Sequence, residues 1–238
     1  MRRSLFLVPL ALGAVVPADS RASVIFDDFN ATEGHFSQTP TSSGQSNVAA
    51  TSTADRVTTD SVEGAGSEKV VAVVATAPGR IRFLSGANGL PANNTSFTTT
   101  SGTDGFIGFY YKTADLTGAK LSLNLDGGTA GATADMDMSP QVTVLADGAW
   151  HLAEFDLDAT TGWGAVTSIG GGHAGSVPNN SHTVDSIYIQ NIAGNGTILF
   201  DFVAKSDGGS IAALVPEPAS AALVALGSVS LLARRRRA

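Results

Sequence analysis

Glu154, Asp156 and Asp158 stand at alternate positions of the run AWHLAEFDLD, residues 149–158. Alternate positions of a strand share one face, with side chains two apart separated by roughly 7 Å. Two carboxylates at that distance can flank a glycosidic bond, one as acid and the other as base or nucleophile. The chemistry also needs one carboxyl kept protonated by an apolar pocket. Nothing beside 149–158 marks such a pocket, and a solvated sheet face accounts for the same spacing. A second set is His173, His182 and Asp185, which with a serine would supply base, orienting acid and nucleophile. No Gly-x-Ser-x-Gly turn or His-Glu-x-x-His pair accompanies them, and those are the contexts that present such groups. The glycines of IGGGHAGS, 169–176, lack the Lys-Ser/Thr that a phosphate cradle requires.

Whatever these residues do, short extended runs must position them. VIF (24–26), KVVAVVA (69–75), GRIRFL (79–84), GFIGFYYK (105–112), KLSLNL (120–125), QVTVL (141–145), AWHLAEFDL (149–157), VDSIYIQNI (184–192) and TILFDFV (197–203) are rich in β-branched and aromatic residues. Turn formers bound nearly all of them, and no body window of helical length keeps a 3.6-residue period. In 149–158, Ala153, Phe155 and Leu157 point one way and the three acids the other. Many short strands without a βαβ rhythm predict an all-β fold, an antiparallel sandwich of jelly-roll type. Residues 33–67 read as a long polar surface loop with at most one short strand, and 169–181 as a glycine-rich loop.

The ends differ from this body. Met1-Arg2-Arg3, the apolar run SLFLVPLALGAVV and Ser20-Arg21-Ala22 follow the order of a secretory signal peptide over residues 1–22. At the other end Ala219–Ala233 is 15 residues without charge, followed by Arg234, Arg235, Arg236 and Arg237. As a helix it is about 22 Å long, short of a hydrocarbon core of roughly 30 Å. The arginines would stay cytoplasmic while the body is carried across. Between the ends, a β-sandwich domain over 23–205 and a linker over 206–214 are expected. This region keeps seven of the 14 basic and 19 of the 21 acidic residues, a net charge of −12. Such a surface repels phosphate and argues against nucleic acid as a partner. With no cysteine, disulfide staples, thiol nucleophiles and Cys-based zinc sites are excluded.

Pro216-Glu217-Pro218, the small-residue apolar stretch and the terminal arginines, in that order, resemble the PEP-CTERM sorting signal of Gram-negative bacteria. The resemblance covers 215–238. It implies handling by an exosortase, a membrane transpeptidase that cuts near the motif. The protein would be exported, tethered to the membrane by its C-terminus and delivered to the cell surface or an extracellular matrix rich in polysaccharide. In the body, FDDF (26–29), DGAWH (147–151) and FDF (200–202) resemble the galactose-binding-like jelly rolls of many carbohydrate-binding modules. That resemblance implies a structural calcium held by Asp201 with Asp27 or Asp28, an ion that wants six to eight oxygens. It also implies an aromatic ring stacking on sugar, with Trp163 the candidate beside Tyr110 and Tyr111, and Trp150 expected in the core. The expectation is a non-enzymatic exported surface protein associated with polysaccharide. The alternatives are a carbohydrate-binding module proper, with calcium, and a glycan hydrolase using the three acids.

Overall fold

The alternation of 149–158 becomes a strand, Trp150–Asp156, with Ala153 and Phe155 buried and Asp156 exposed. A computed structural model describes residues 23–86, 95–100, 104–127, 136–165 and 175–215. The expected signal peptide, the motif with its apolar tail and arginines, and His173 lie outside the described residues. Among the described residues no helix is long and apolar enough to cross a membrane.

Two antiparallel sheets carry the fold. The first contains β1 (Val24–Asp27), β2 (Thr53–Val57), β3 (Ser67–Ala72), β6 (Phe106–Lys112), β10 (Trp150–Asp156) and β13 (Gly196–Ser206). Its order is β10-β6-β13-β3-β2, with β1 pairing β13 beyond the point where β3 stops. First and last strands are thus neighbours. The second sheet contains β4 (Gly79–Leu84), β5 (Ser96–Thr98), β7 (Lys120–Gly127), β8 (Met136–Met138), β9 (Val142–Thr143), β11 (Gly164–Ala165) and β12 (Ser181–Ile192). Its order is β11-β8-β7-β12-β4, with β5 on β12 and β9 on β7. The architecture is the expected all-β sandwich.

The inner faces meet on phenylalanine. Phe200 of β13 lies 5.5 Å from Phe109 and 6.2 Å from Phe83 across the core, and Phe83 lies 5.3 Å from Phe36. Phe36 comes from the long polar segment 33–67, which holds one strand, β2, as expected, and sends this ring inward. Gly108 permits β6 to approach β10, since a Cβ there would stand 2.1 Å from the Ala153 carbonyl oxygen. Bulges interrupt β12 at Asp185 and β13 at Phe202–Val203, and Phe202 takes φ 48°.

The segment expected as a linker is partly docked. Ile211–Leu214 forms a 3-10 helix with Ser210 as its cap, and Ile211 is 0 % exposed. Glu154 Oε2 accepts hydrogen bonds from Ser210 Oγ (2.7 Å) and the Ile211 amide (2.8 Å).

Candidate functional site

On the second sheet, Ile81, Phe83, Leu121, Leu123, Leu125, Ile187 and Ile189 point into the core. Their neighbours along each strand therefore form the opposite face. Register aligns Arg82, Tyr188 and Ser122 in one row, Leu84, Ser186, Asn124 and Met138 in the next, and Gln190 with Lys120 beyond. An outward face is ordinarily wet. Here Arg82, Ser122, Asn124, Ser186 and Tyr188 are all buried, while Lys120, Asp126, Met138 and Gln190 are half-buried at its margins. Part of the cover is residues 44–46: Arg80 Nε donates to the Gly44 carbonyl at 3.1 Å, and a Cβ at Gly44 would meet Arg82 Cδ at 2.7 Å.

A charged network organises this face. Arg82 holds Asp185 through both oxygens, Nη2 to Oδ1 at 2.5 Å and Nε to Oδ2 at 3.1 Å. Ser186 Oγ donates to Asp185 Oδ2 (2.5 Å) and accepts from Asn124 Nδ2 (2.9 Å). Burial pushes the Asp185 carboxyl upward, while the permanent charge of Arg82 and the Ser186 hydroxyl hold it back. The bulge at Asp185 aims this acid at Arg82. Arg80 lies over the Tyr188 ring, 5.8 Å from its centroid. Asn124 Oδ1 and Ser122 Oγ are buried with no hydrogen-bond partner among the described residues. Buried polar atoms are nearly always paired, so these two are groups an enclosed water can satisfy. The arrangement is a buried polar layer, with Lys120, Asp126, Met138 and Gln190 reaching its half-buried margins.

The residues singled out from sequence fall elsewhere. Trp163 is 3 % exposed, its ring edge-on to Phe155 at 6.5 Å and its Nε1 donating to the Asp156 carbonyl at 2.9 Å. It belongs to the core and presents no face to a sugar. Trp150 is the converse, half-buried on the outer side of edge strand β10. Its Nε1 donates to Asp60 (2.9 Å), whose other oxygen binds Lys112 Nζ (2.6 Å). The Asp60 carboxyl lies below its ordinary range: its slight burial, the largest single influence, pushes it up, but its bonds to Lys112 and Trp150 outweigh that. Tyr111 is buried, and Tyr110 is half-buried on the outer face of β6.

Asp27, Asp28 and Asp201 do not form one oxygen cage. Asp27 stands opposite Val203, a core residue, and accepts from the His35 amide at 2.8 Å. Asp28 accepts from the Asn30 amide at 3.0 Å. Asp201 lies opposite Tyr110 on the other face of the sheet and accepts from the amides of Val62 (2.7 Å), Glu63 (3.2 Å) and Phe202 (2.8 Å). Burial pushes Asp27 and Asp201 each up to about 6. Among the described residues no three His, Asp or Glu side chains are grouped to hold a metal. The residues present do not fit the calcium that the sequence resemblance implied.

Among the described residues, neither the acids of 154–158 nor His182 with Asp185 forms a hydrolytic set. Glu154 accepts from Ser210 and the Ile211 amide, Asp156 accepts from the Asp158 amide at 2.8 Å, and Asp158 accepts from the amides of Asp104 and Gly105. His182 is buried, its Nε2 within 3.1 Å of Thr99 Oγ1 and 2.9 Å of the Pro178 carbonyl, and Asp185 belongs to Arg82. Sequence reasoning passed over Arg82 and Asn124. The available signal was a charge at alternate positions of GRIRFL and an amide within KLSLNL.

Residues 214–237 match the PEP-CTERM protein-sorting motif. No curated protein matches the chain. Among solved structures, the chain is similar to CtCBM11 in solution (TM-score 0.48, 13 % identity, covering 80 % of this chain and 98 % of that one). It is also similar to the family 11 carbohydrate-binding module from Clostridium thermocellum in complex with a β-1,3-1,4-mixed-linked tetrasaccharide (0.43, 14 %, 77 % and 94 %). A third likeness is to carbohydrate-binding modules of the β-sandwich superfamily, of whose chain this one spans about half (0.42, 12 %, 67 % and 54 %).

Proposed function

We propose that this is an exported protein, sorted through its C-terminal motif by an exosortase, whose sandwich binds extracellular polysaccharide without catalysing its cleavage. The observation that carries the binding reading is the outer face of the second sheet. Its half-buried margin presents Lys120, Asp126, Met138 and Gln190 beside a buried polar network of Arg82, Asp185, Ser186 and Asn124 that holds the strands in register. Extended saccharides offer hydroxyls at a regular spacing, and several weak polar contacts along a strand row suit them. The non-catalytic reading is supported by the acids of 154–158, each of which accepts from backbone amides and so has a structural role in the fold.

The binding test is retention of the mature protein on insoluble and gel-embedded polysaccharides, compared with Lys120→Ala and Gln190→Ala. Loss of retention in both variants, with unchanged melting, supports the face; equal retention removes it. The sorting test replaces Glu217 and Pro218 with alanine and reads the mature C-terminus by mass spectrometry. An unaltered C-terminus rejects exosortase handling.

A further inference from the structure

A cavity of about 290 Å³ opens where the ends of the two sheets meet, away from the face described above. Its walls are residue 104 ahead of β6, residues 157–160 after β10 and residues 176–179 ahead of β12. Each wall is pinned by hydrogen bonds. Asp158 accepts the Asp104 amide at 3.0 Å through Oδ1 and the Gly105 amide at 3.1 Å through Oδ2. The 176–179 wall is tied down by Thr99, whose Oγ1 donates to the Pro178 carbonyl at 2.6 Å and whose amide donates to the Asn180 carbonyl at 2.9 Å. Asp104 is only 5 % exposed although it lines the cavity, and Oδ1 already accepts the Thr100 amide.

The lining selects a ligand class. Asp104 and Asp158 are acceptors, Thr160, Ser176 and Asn179 can donate or accept, and Val177 and Pro178 supply an apolar side. Carboxylates bind hydroxyl donors through charge-assisted bonds, stronger than neutral ones. The same two charges repel phosphates, sulfates and uronates. The volume is at the lower edge of small-molecule pockets, the scale of one sugar ring rather than a chain.

We infer that this cavity binds a single neutral pyranose unit, its vicinal hydroxyls on Asp104 and Asp158 and its C–H side on Val177 and Pro178. The inference rests on the polysaccharide reading for ligand class only, since it uses none of the residues of the sheet face. A ligand of about a dozen non-hydrogen atoms is expected to bind in the millimolar range. The unit can be the end of a polysaccharide or a free sugar.

The test uses the isotopically labelled mature protein and amide NMR shifts at Thr160, Ser176 and Asn179. The probes are glucose, galactose and mannose, their β-1,4-linked trisaccharides, glucuronate and calcium chloride. The expected result is saturable millimolar shifts with at least one neutral sugar, weakened at least tenfold in Asp158→Asn and in the exposed-site variants Asn179→Ala and Thr160→Ala. A trisaccharide bound as well as its monosaccharide identifies a chain end. A monosaccharide bound while its trisaccharide is refused identifies a free sugar, and both results support the cavity. No shift with any neutral sugar, equal response to glucuronate, or response to calcium alone overturns it. Gln190→Ala separates the two sites: it is expected to lower polysaccharide retention and leave these shifts unchanged, so either site can fail without the other.

Discussion

Replacing Glu68 with glutamine is expected to stabilise the protein at neutral and alkaline pH and to do little in acid. Glu68 lies on β3 opposite Phe200, so its side chain enters the core between β13 and β2. It is 0 % exposed, and neither carboxyl oxygen has a hydrogen-bond partner among the described residues. Burial, reinforced by Glu33, Asp55 and Asp27, pushes its carboxyl up to about 8 from an ordinary 4.5. The folded protein therefore keeps this proton up to about pH 8, while the unfolded chain releases it above pH 4.5. Folding must then take up a proton across that window, and stability falls as pH rises through it by about 1.4 kcal/mol per unit. At pH 7 the cost is on the order of 3 kcal/mol, approaching 5 at pH 8 and above. Glutamine removes the ionisation. Its two N–H donors add an offset that does not depend on pH, so the change in the stability difference with pH is the quantity to read. For a chain of this size 1 kcal/mol moves the midpoint by about 2–4 °C, so the Tm difference between variant and parent should grow by roughly 6–12 °C between pH 4.5 and 7. Calorimetric melts at half-unit steps from pH 4.5 to 8.5 measure it. A Tm difference constant across that range would refute the reasoning, since it would place the carboxylate in contact with water or a counter-charge.

Other consequences follow from the same contacts. Phe200→Ala opens a cavity between Phe83 and Phe109 and should cost about 3–5 kcal/mol, read as a lower urea midpoint at unchanged m-value; a loss under 1 kcal/mol would mean the rings are not packed as described. Because Asp27 and Asp201 lie on opposite faces of one sheet, EDTA and added calcium should each leave Tm unchanged, and a rise with calcium would contradict that division. Glu154→Ala removes the acceptor for Ser210 and the Ile211 amide and should cost about 1–2 kcal/mol. Hydrogen exchange at Ile211 should then quicken at least tenfold, whereas unchanged protection would show that burial of the isoleucine alone holds the segment.

The strands that the sequence declared are those with a run long enough to show a period. Ala153, Phe155 and Leu157 alternate with acids because one side of β10 is dry and the other is not. For Thr53–Val57 the sequence supports only the expectation of at most one short strand somewhere in 33–67, and Ser96–Thr98, Met136–Met138 and Gly164–Ala165 escaped notice. They are short, two of them carry charges, and register with a neighbour holds them rather than propensity. Trp163 was misplaced because Gly162 and Gly164 around it argue for a loop. It does lie in a connection, but the chain turns back so that the indole reaches Phe155 and the Asp156 carbonyl. The Arg82–Asp185 pair joins residues 103 apart, and no local pattern announces such a contact. In VDSIYIQNI only Ile187-Tyr188-Ile189 is continuously apolar, too short a run to declare a strand covered on both sides.

Glu154, which invites a catalytic reading, holds the segment that leads into the matched sorting motif. Its carboxylate ties the start of the 3-10 helix to β10, and Ile211 fills a place in the core. The matched sorting motif begins at residue 214, inside that docked turn. Pro216 is two residues beyond Leu214, so by chain length it lies within about 7 Å of it. The folded domain therefore runs directly into the sorting signal, where composition had suggested a free linker over 206–214. A membrane enzyme that takes hold of Pro216-Glu217-Pro218 must work against the side of the sandwich where β10 and β13 end, or else the turn must leave its place. The same Glu154→Ala variant distinguishes these two arrangements in cells. If the turn must leave, loosening it should speed processing of the C-terminus. If the docked body is part of what is recognised, loosening it should slow processing.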